Sequence, residues 1–185
     1  MTTSENPPDR QPGEPLKNSK TQPDVIYRIM ESNGEALAAI ESVVASATRE
    51  IRIFDTRPST LRERDFGRSN RIEALKTLLL KNRASRIRIV LHDVTAMESE
   101  LPRLLMLMQL HATQVQIHRT VGQAREAHDV MLIADEAHSW RKPYFEHPRS
   151  VLTLNDPAAT KPFIDRFEEI WDSTELVSVG GAAGL

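Results

Sequence analysis

The stretch HDVMLIAD, residues 128–135, sets His128 and Asp135 at the two ends of an apolar run. An imidazole can serve as a nucleophile or general base near neutral pH, and a carboxylate can orient or offset such a group. The alternative reading is an ordinary buried strand that begins with a histidine. A second set of polar residues gathers where apolar runs stop: Asp55 and Arg57, His92 and Asp93, His118 and Arg119. Two arginines and two histidines converging at strand ends would suit a phosphate or carboxylate, held by forked, charge-assisted hydrogen bonds. The same side chains would otherwise cap strand ends and pair locally, Asp55 with Arg57 for example.

Other chemistries find less in the sequence. The chain has no cysteine, which excludes thiol catalysis, disulfides and cysteine–zinc sites and fits a reducing compartment. The histidines at 92, 111, 118, 128, 138 and 147 include no HExxH pair, so no metal is expected. The glycines form neither a GxGxxG nor a phosphate-loop pattern, and no serine sits in an elbow motif. No cofactor is expected.

These residues must be positioned by regular elements, and the pattern of apolar residues alternates between two periods. Asn33 or a neighbour caps a helix through about Ala47. EIRIFDTRP then reads as a strand ending near Asp55, because Pro58 discourages continuation. LRERDFGRS reads as a polar connection, and Asn70 as the cap of a helix striped by Ile72, Leu75, Leu78 and Leu79. RIRIVLHD is a second strand, ESELPRLLMLMQL a third helix, QVQIHRT a third strand and DVMLIAD a fourth. AHSW pairs back as a hairpin through a turn at Asp135-Glu136-Ala137, and SVLTLN is a further strand. Asp156-Pro157 caps and starts a closing helix with Phe163, Phe167, Ile170 and Trp171 inside. This order predicts an α/β sandwich with a mixed sheet. The leucines and methionines all around LPRLLMLMQL mark a helix buried in a core or at a dimer contact.

Residues 1–24 are polar and proline-rich and are expected to form a disordered tail. Residues 25–176 form the folded domain in this reading, and 177–185 a flexible C-terminal tail. No segment has the length and apolarity of a membrane span or a secretory signal, so a cytoplasmic location is expected. The net charge of −2 conceals an asymmetry: residues 49–88 carry twelve Lys/Arg against five Asp/Glu, and 156–175 carry two against six. The two regions either complement each other within the fold or leave a basic surface for a polyanion.

Three segments, in order, resemble one half of the phospholipase D-like fold: VVASATREIRIFD, RIEALKTLLLKNRASRIRIVLHD and NDPAATKPFIDRFEEIWDS. The last carries an Asp156-Pro157 turn followed by Phe167-x-x-x-Trp171. Between them, H-x-V-x-x-x-x-D is similar to the H-x-K-x-x-x-x-D signature of that superfamily, with Val130 in the lysine's place. The resemblance spans about residues 33–175 and extends to a group of bacterial proteins that contain one such half. It implies an α-β-α sandwich around a mixed, mainly parallel sheet. It also implies His128 as a nucleophile that forms a phosphohistidine, Asp135 as the motif aspartate, and a second histidine supplied by another half, hence a homodimer. Two features depart from the pattern: Val130 cannot offset phosphoryl charge, and AHSWRKPYFEHP stands where a G-S-x-N stretch belongs. The expected function is therefore a non-catalytic binding or scaffold domain with an anion pocket. The alternatives are a divergent phosphodiesterase or phosphotransfer enzyme using a histidine nucleophile, and a nucleic-acid-binding protein using the arginine-rich 57–71 loop.

Overall fold

The computed structural model describes residues 23–177. The two tails expected from the sequence lie outside this range except for residues 23, 24 and 177. Eight strands form one sheet: β1 (Ile26–Met30), β2 (Glu50–Asp55), β3 (Arg86–Leu91), β4 (Val115–Thr120), β5 (Val130–Ala134), β6 (His138–Lys142), β7 (Ser150–Leu154) and β8 (Thr174–Leu176). The helices are α1 (Asn33–Ser46), α2 (Pro58–Glu63), α3 (Ser69–Lys81), α4 (Met97–Glu100), α5 (Pro102–Leu110) and α6 (Pro157–Trp171). Strand order across the sheet is β1-β7-β6-β5-β2-β3-β4-β8.

The sheet is mixed, as expected, but it is not mainly parallel. Only β2–β3 and β3–β4 pair in parallel; the other five pairings are antiparallel. The reason is connection length. Parallel neighbours need a helical crossover, which α2–α3 and α4–α5 provide, whereas β5, β6 and β7 follow one another through short connections that permit only antiparallel return.

Each face of the sheet has its own core. On one side Ile51, Ile53, Ile87, Ile89, Ile117, Val130 and Leu132 pack under α1, α3 and α5. On the other, Phe54, Val90, Met131 and Ile133 pack under α6 through Phe167 and Ile170. Alternation along β2 and β5 thus feeds both layers, and both strands are buried along their whole length.

Caps fix where the helices begin. Ser32 rather than Asn33 caps α1, with Glu35 completing a reciprocal capping box. The Asp156 carboxylate accepts from Ala159 N–H at 2.9 Å and starts α6, with Pro157 at its first position. Asn70 does not cap α3, which starts one residue earlier at Ser69 without a side-chain cap. The expected third helix is two, because the backbone leaves helical geometry at Leu101 (φ −135°) just before Pro102. In α5, Leu104, Leu105, Leu107 and Met108 are buried while Met106 and Leu110 are exposed.

Three elements escaped the sequence reading: β1, α2 and β8. Strand β1 is an edge strand with only Met30 buried, β8 has three residues, and α2 is a six-residue turn of polar sequence seated by Leu61. No helix among the described residues is long and apolar enough to cross a membrane.

Candidate functional site

The two faces of the sheet handle charge differently, and this decides which polar residues are free. On the α6 face, Glu50, Arg52 and Arg88 point into the layer. Glu50 meets Arg52 and Arg88, each at 2.8 Å, and Arg88 meets Glu168 of α6 at 2.7 Å. The Arg88 guanidinium also lies 5.2 Å and 5.0 Å from the ring centroids of Phe167 and Trp171. Arg52 and Arg88 of the basic stretch are therefore partners of Glu168 in the acidic closing helix across the core layer. Within the 57–71 loop, Arg62 pairs with Glu100, Arg64 with Asp55, Arg68 with Asp65 and Arg71 with Glu41. Arg57 makes no ion pair among the described residues.

The carboxyl ends of β2, β3 and β4, the start of β5 and the end of β6 share one edge of the sheet, as the register dictates. There a cleft of about 360 Å3 is lined by Thr56, Arg57, His92, Asp93, Arg125, Ala127, His128 and Phe145. The Thr56 carbonyl accepts from the N–H groups of His92 and Asp93, both at 3.0 Å, and so clamps the β2 and β3 ends together. Phe145 N–H donates to the His128 carbonyl at 3.0 Å, and the two rings lie 6.2 Å apart. The His128 side chain is exposed and has no hydrogen-bonded ring nitrogen among the described residues.

Four of the expected site residues meet in this cleft: Arg57, His92, Asp93 and His128. His92 is committed to structure there. Its Nε2 lies 2.8 Å from the Ala127 carbonyl, which can only accept, so Nε2 carries the proton and Nδ1 accepts from the Thr120 hydroxyl at 2.9 Å. Asp93 accepts from the Thr95 hydroxyl and N–H at 2.6 and 2.8 Å, and these bonds, with Arg57 nearby, hold its carboxyl below the usual range.

The structure does not bring Asp55, His118, Arg119 or Asp135 to the cleft. Asp55 is 1% exposed and faces the α1 side of the sheet, 3.1 Å from Arg64 rather than paired with Arg57. Burial pushes its carboxyl up, against the pull of Arg64, the Thr56 N–H and the Thr60 hydroxyl. His118 stacks on Trp171 at 3.9 Å under α6, and Arg119 pairs with Glu175 on β8 at 3.0 Å. The Thr174 hydroxyl donates to the Trp171 carbonyl at 2.7 Å, so His118 Nδ1, also 2.7 Å from that hydroxyl, must be its donor. Burial and the charge of Arg88 lower the His118 pKa, which fits this neutral tautomer.

Asp135 lies at the far end of β5, roughly 20 Å from His128 at strand rise. Its backbone is left-handed (φ +52°), a region aspartate tolerates. The carboxylate accepts from Thr48 Oγ1 at 2.7 Å and from the N–H groups of Thr48, Arg49 and Glu50 at 2.9, 2.8 and 2.9 Å. Burial alone would raise its carboxyl, but these donors outweigh it and hold it below the usual range. Val130 is 1% exposed and packed in the core.

Sequence reading missed Arg125 and Phe145. Arg125 sits in a 3-10 turn (Gly122–Glu126) entered by Gly122 at φ +53°, and the paired glycine and turn are the only local signal. Phe145 lies in an irregular loop, where no period exists to read. Among the described residues no group of three or more His, Asp or Glu side chains is arranged to hold a metal ion.

A family model described as "Domain of unknown function (DUF7931)" matches residues 32–178. The chain belongs to this family. No curated protein matches it. Among solved structures, Nuc from Salmonella typhimurium, a phospholipase D family member, is similar at a TM-score of 0.58 and 16% identity, over 84% of this chain and 100% of that one. NucT from Helicobacter pylori is similar at 0.52 and 12% identity, over 83% of this chain and 100% of that one. TrmBL2, described as an archaeal chromatin protein with a novel mode of DNA binding, is similar at 0.56 and 17% identity, over 86% of this chain and 57% of that one. At these identities the likeness is one of fold, and the fold is phospholipase D-like.

Proposed function

We propose that this chain is a non-catalytic binding or scaffold domain whose strand-end cleft receives a phosphate- or carboxylate-bearing group. The observation that supports the reading is the pair Arg57 and Arg125, which line one cleft with His128 and make no ion pair among the described residues. Most arginines near the sheet are neutralised by carboxylates; these two present their charge to an open concavity of ligand-accepting size. Against catalysis stands Val130, an aliphatic side chain at the position where the fold's active relatives would place a cation, packed where it reaches no ligand.

One observation favours a second reading, a divergent phosphodiesterase or phosphotransfer enzyme: the His128 ring is exposed in that cleft with neither nitrogen hydrogen-bonded among the described residues. In such a reaction His128 attacks phosphorus, the P–O bond to the leaving group breaks with a proton taken up by the departing oxygen, and water then cleaves the phosphohistidine. A homodimer would supply the second histidine.

One experiment separates the two. The full chain is titrated with inorganic phosphate by calorimetry and incubated with bis-p-nitrophenyl phosphate, beside Arg57→Ala, Arg125→Ala and His128→Ala. Binding that falls at least tenfold in the arginine variants, with no p-nitrophenol above buffer, is the expected result. Turnover lost in His128→Ala replaces it with the enzyme reading, and phosphate binding indifferent to both arginines removes the cleft as the site.

A further inference from the structure

Strand register places a lysine beside the valine. Val130 of β5 pairs with Lys142 of β6, so the two side chains leave the same face of the sheet side by side. Trp140, two residues earlier on β6, lies on that same face in the core under α1. On the other flank, Asp55 of β2 lies one step beyond the Phe54–Met131 pair. A row Asp55–Val130–Lys142 thus crosses three strands beneath α1.

At the Lys142 end of this row is a second cavity of about 360 Å3 that shares no lining residue with the strand-end cleft. Leu37 and Ile40 of α1 and the Trp140 ring give it an apolar wall; Arg64, Lys142 and Glu63 lie at its polar end. The Arg64 guanidinium is 5.5 Å from the Trp140 ring centroid, 3.1 Å from Asp55 and 2.9 Å from the Thr60 carbonyl, so its charge is largely answered. Lys142 is different. It is half-buried and makes neither a hydrogen bond nor an ion pair among the described residues. Burial lowers its ammonium pKa, Arg64 adds like-charge repulsion, and Asp55 and Glu63 offset this only in part. A partly desolvated cation without a direct ion-pair partner is unfavourable, and an anion delivered beside it relieves that cost.

We propose that this cavity is a binding site for a small amphipathic anion, with a carboxylate or phosphate-monoester head on Lys142 and an apolar body against Leu37, Ile40 and Trp140. The volume lies at the lower end of the range for small-molecule sites, which fits a ligand with one ring or a short chain. This site is separate from the strand-end cleft and does not depend on its occupancy.

The test uses Trp140 as reporter. The full chain is titrated with phenyl phosphate, benzoate and the neutral benzyl alcohol, following tryptophan emission and heat. Expected is saturable binding of at least one anion, at least tenfold tighter than benzyl alcohol, with the preferred head telling phosphate from carboxylate. Lys142→Gln weakens the anion at least tenfold and leaves benzyl alcohol unchanged. Ala36→Phe, which fills the cavity from α1 without altering charge, blocks all three and stands in should Lys142→Gln fold poorly. Equal affinity for anions in wild type, Lys142→Gln and Ala36→Phe overturns the proposal. So does an anion signal abolished only by Arg57→Ala, which would seat the probe in the other cleft.

Discussion

The two ends of β5 carry the two polar residues that make HDVMLIAD look like a reaction motif, and they have opposite characters. At one end Asp135 is saturated: four donors from Thr48, Arg49 and Glu50 converge on its carboxylate and tie the hairpin turn to the start of β2. At the other end His128 is bare, an exposed ring in a cleft with two arginines that make no ion pair among the described residues. A spacing that reads as one chemical unit is, in three dimensions, two separate solutions. The aspartate holds two strands in place; the histidine engages Phe145 through its backbone carbonyl and leaves its ring free among the described residues. Between them Val130 belongs wholly to the core.

Restoring the missing cation is the harshest way to break this contrast. Val130→Lys would bury an ammonium beside Lys142 and Arg64, while Asp55 is already engaged by Arg64 and Thr60. An uncompensated buried charge of this kind costs about 3–5 kcal/mol. Denaturant unfolding should show a loss of that size, and a loss below about 1 kcal/mol would mean that the row tolerates a lysine and that Val130 is not a packing requirement.

Asp135→Asn comes next in size. The amide keeps one accepting oxygen but turns an NH2 toward backbone donors, leaving part of the cluster unsatisfied, at about 1–3 kcal/mol. The effect depends on pH. Because the folded-state carboxyl is depressed, its stabilisation is fully present above the ordinary aspartate range, near pH 4, and is lost as pH falls through the folded value. Wild type and variant should therefore differ at neutral pH and converge in acid. A constant gap across pH 2–7 would assign the loss to shape rather than charge.

The same contrast explains what the sequence could and could not disclose. Periodicity located β2 to β7 and the long helices, because burial imposes a period of two or 3.6 on side chains. Asp156-Pro157 announced α6 because a cap and a fixed φ act locally. Strand β1 hid because an edge strand exposes most of its residues, and α2 because a single turn has no repeat. The candidate site was half legible. Arg57, His92, Asp93 and His128 follow from strand ends, which any correct strand assignment delivers. His118 and Arg119 looked equivalent to them, yet β8 and Trp171 claim both, and a three-residue strand leaves no pattern to warn of it. Lys142 was within reach: a turn at Asp135-Glu136-Ala137 sets Ala134 opposite His138 and, four steps on, Val130 opposite Lys142. Register carries that information, and composition does not.

The smallest expected change in stability is at His128, and it is the sharpest test of the comparison. The ring is exposed, accepts and donates nothing among the described residues, and touches Phe145 only at 6.2 Å between centroids. Removing it as His128→Ala should leave the unfolding free energy within about 0.5 kcal/mol, as for a surface substitution away from packed features. The expected loss is of anion affinity in the cleft, several-fold, because a ring N–H beside Arg57 and Arg125 is lost as a donor to the anion. The two quantities must separate: a stability loss above 1 kcal/mol would make His128 a clamp for the Phe145 loop, and the two ends of β5 would then be two versions of one structural device rather than a tie and a site.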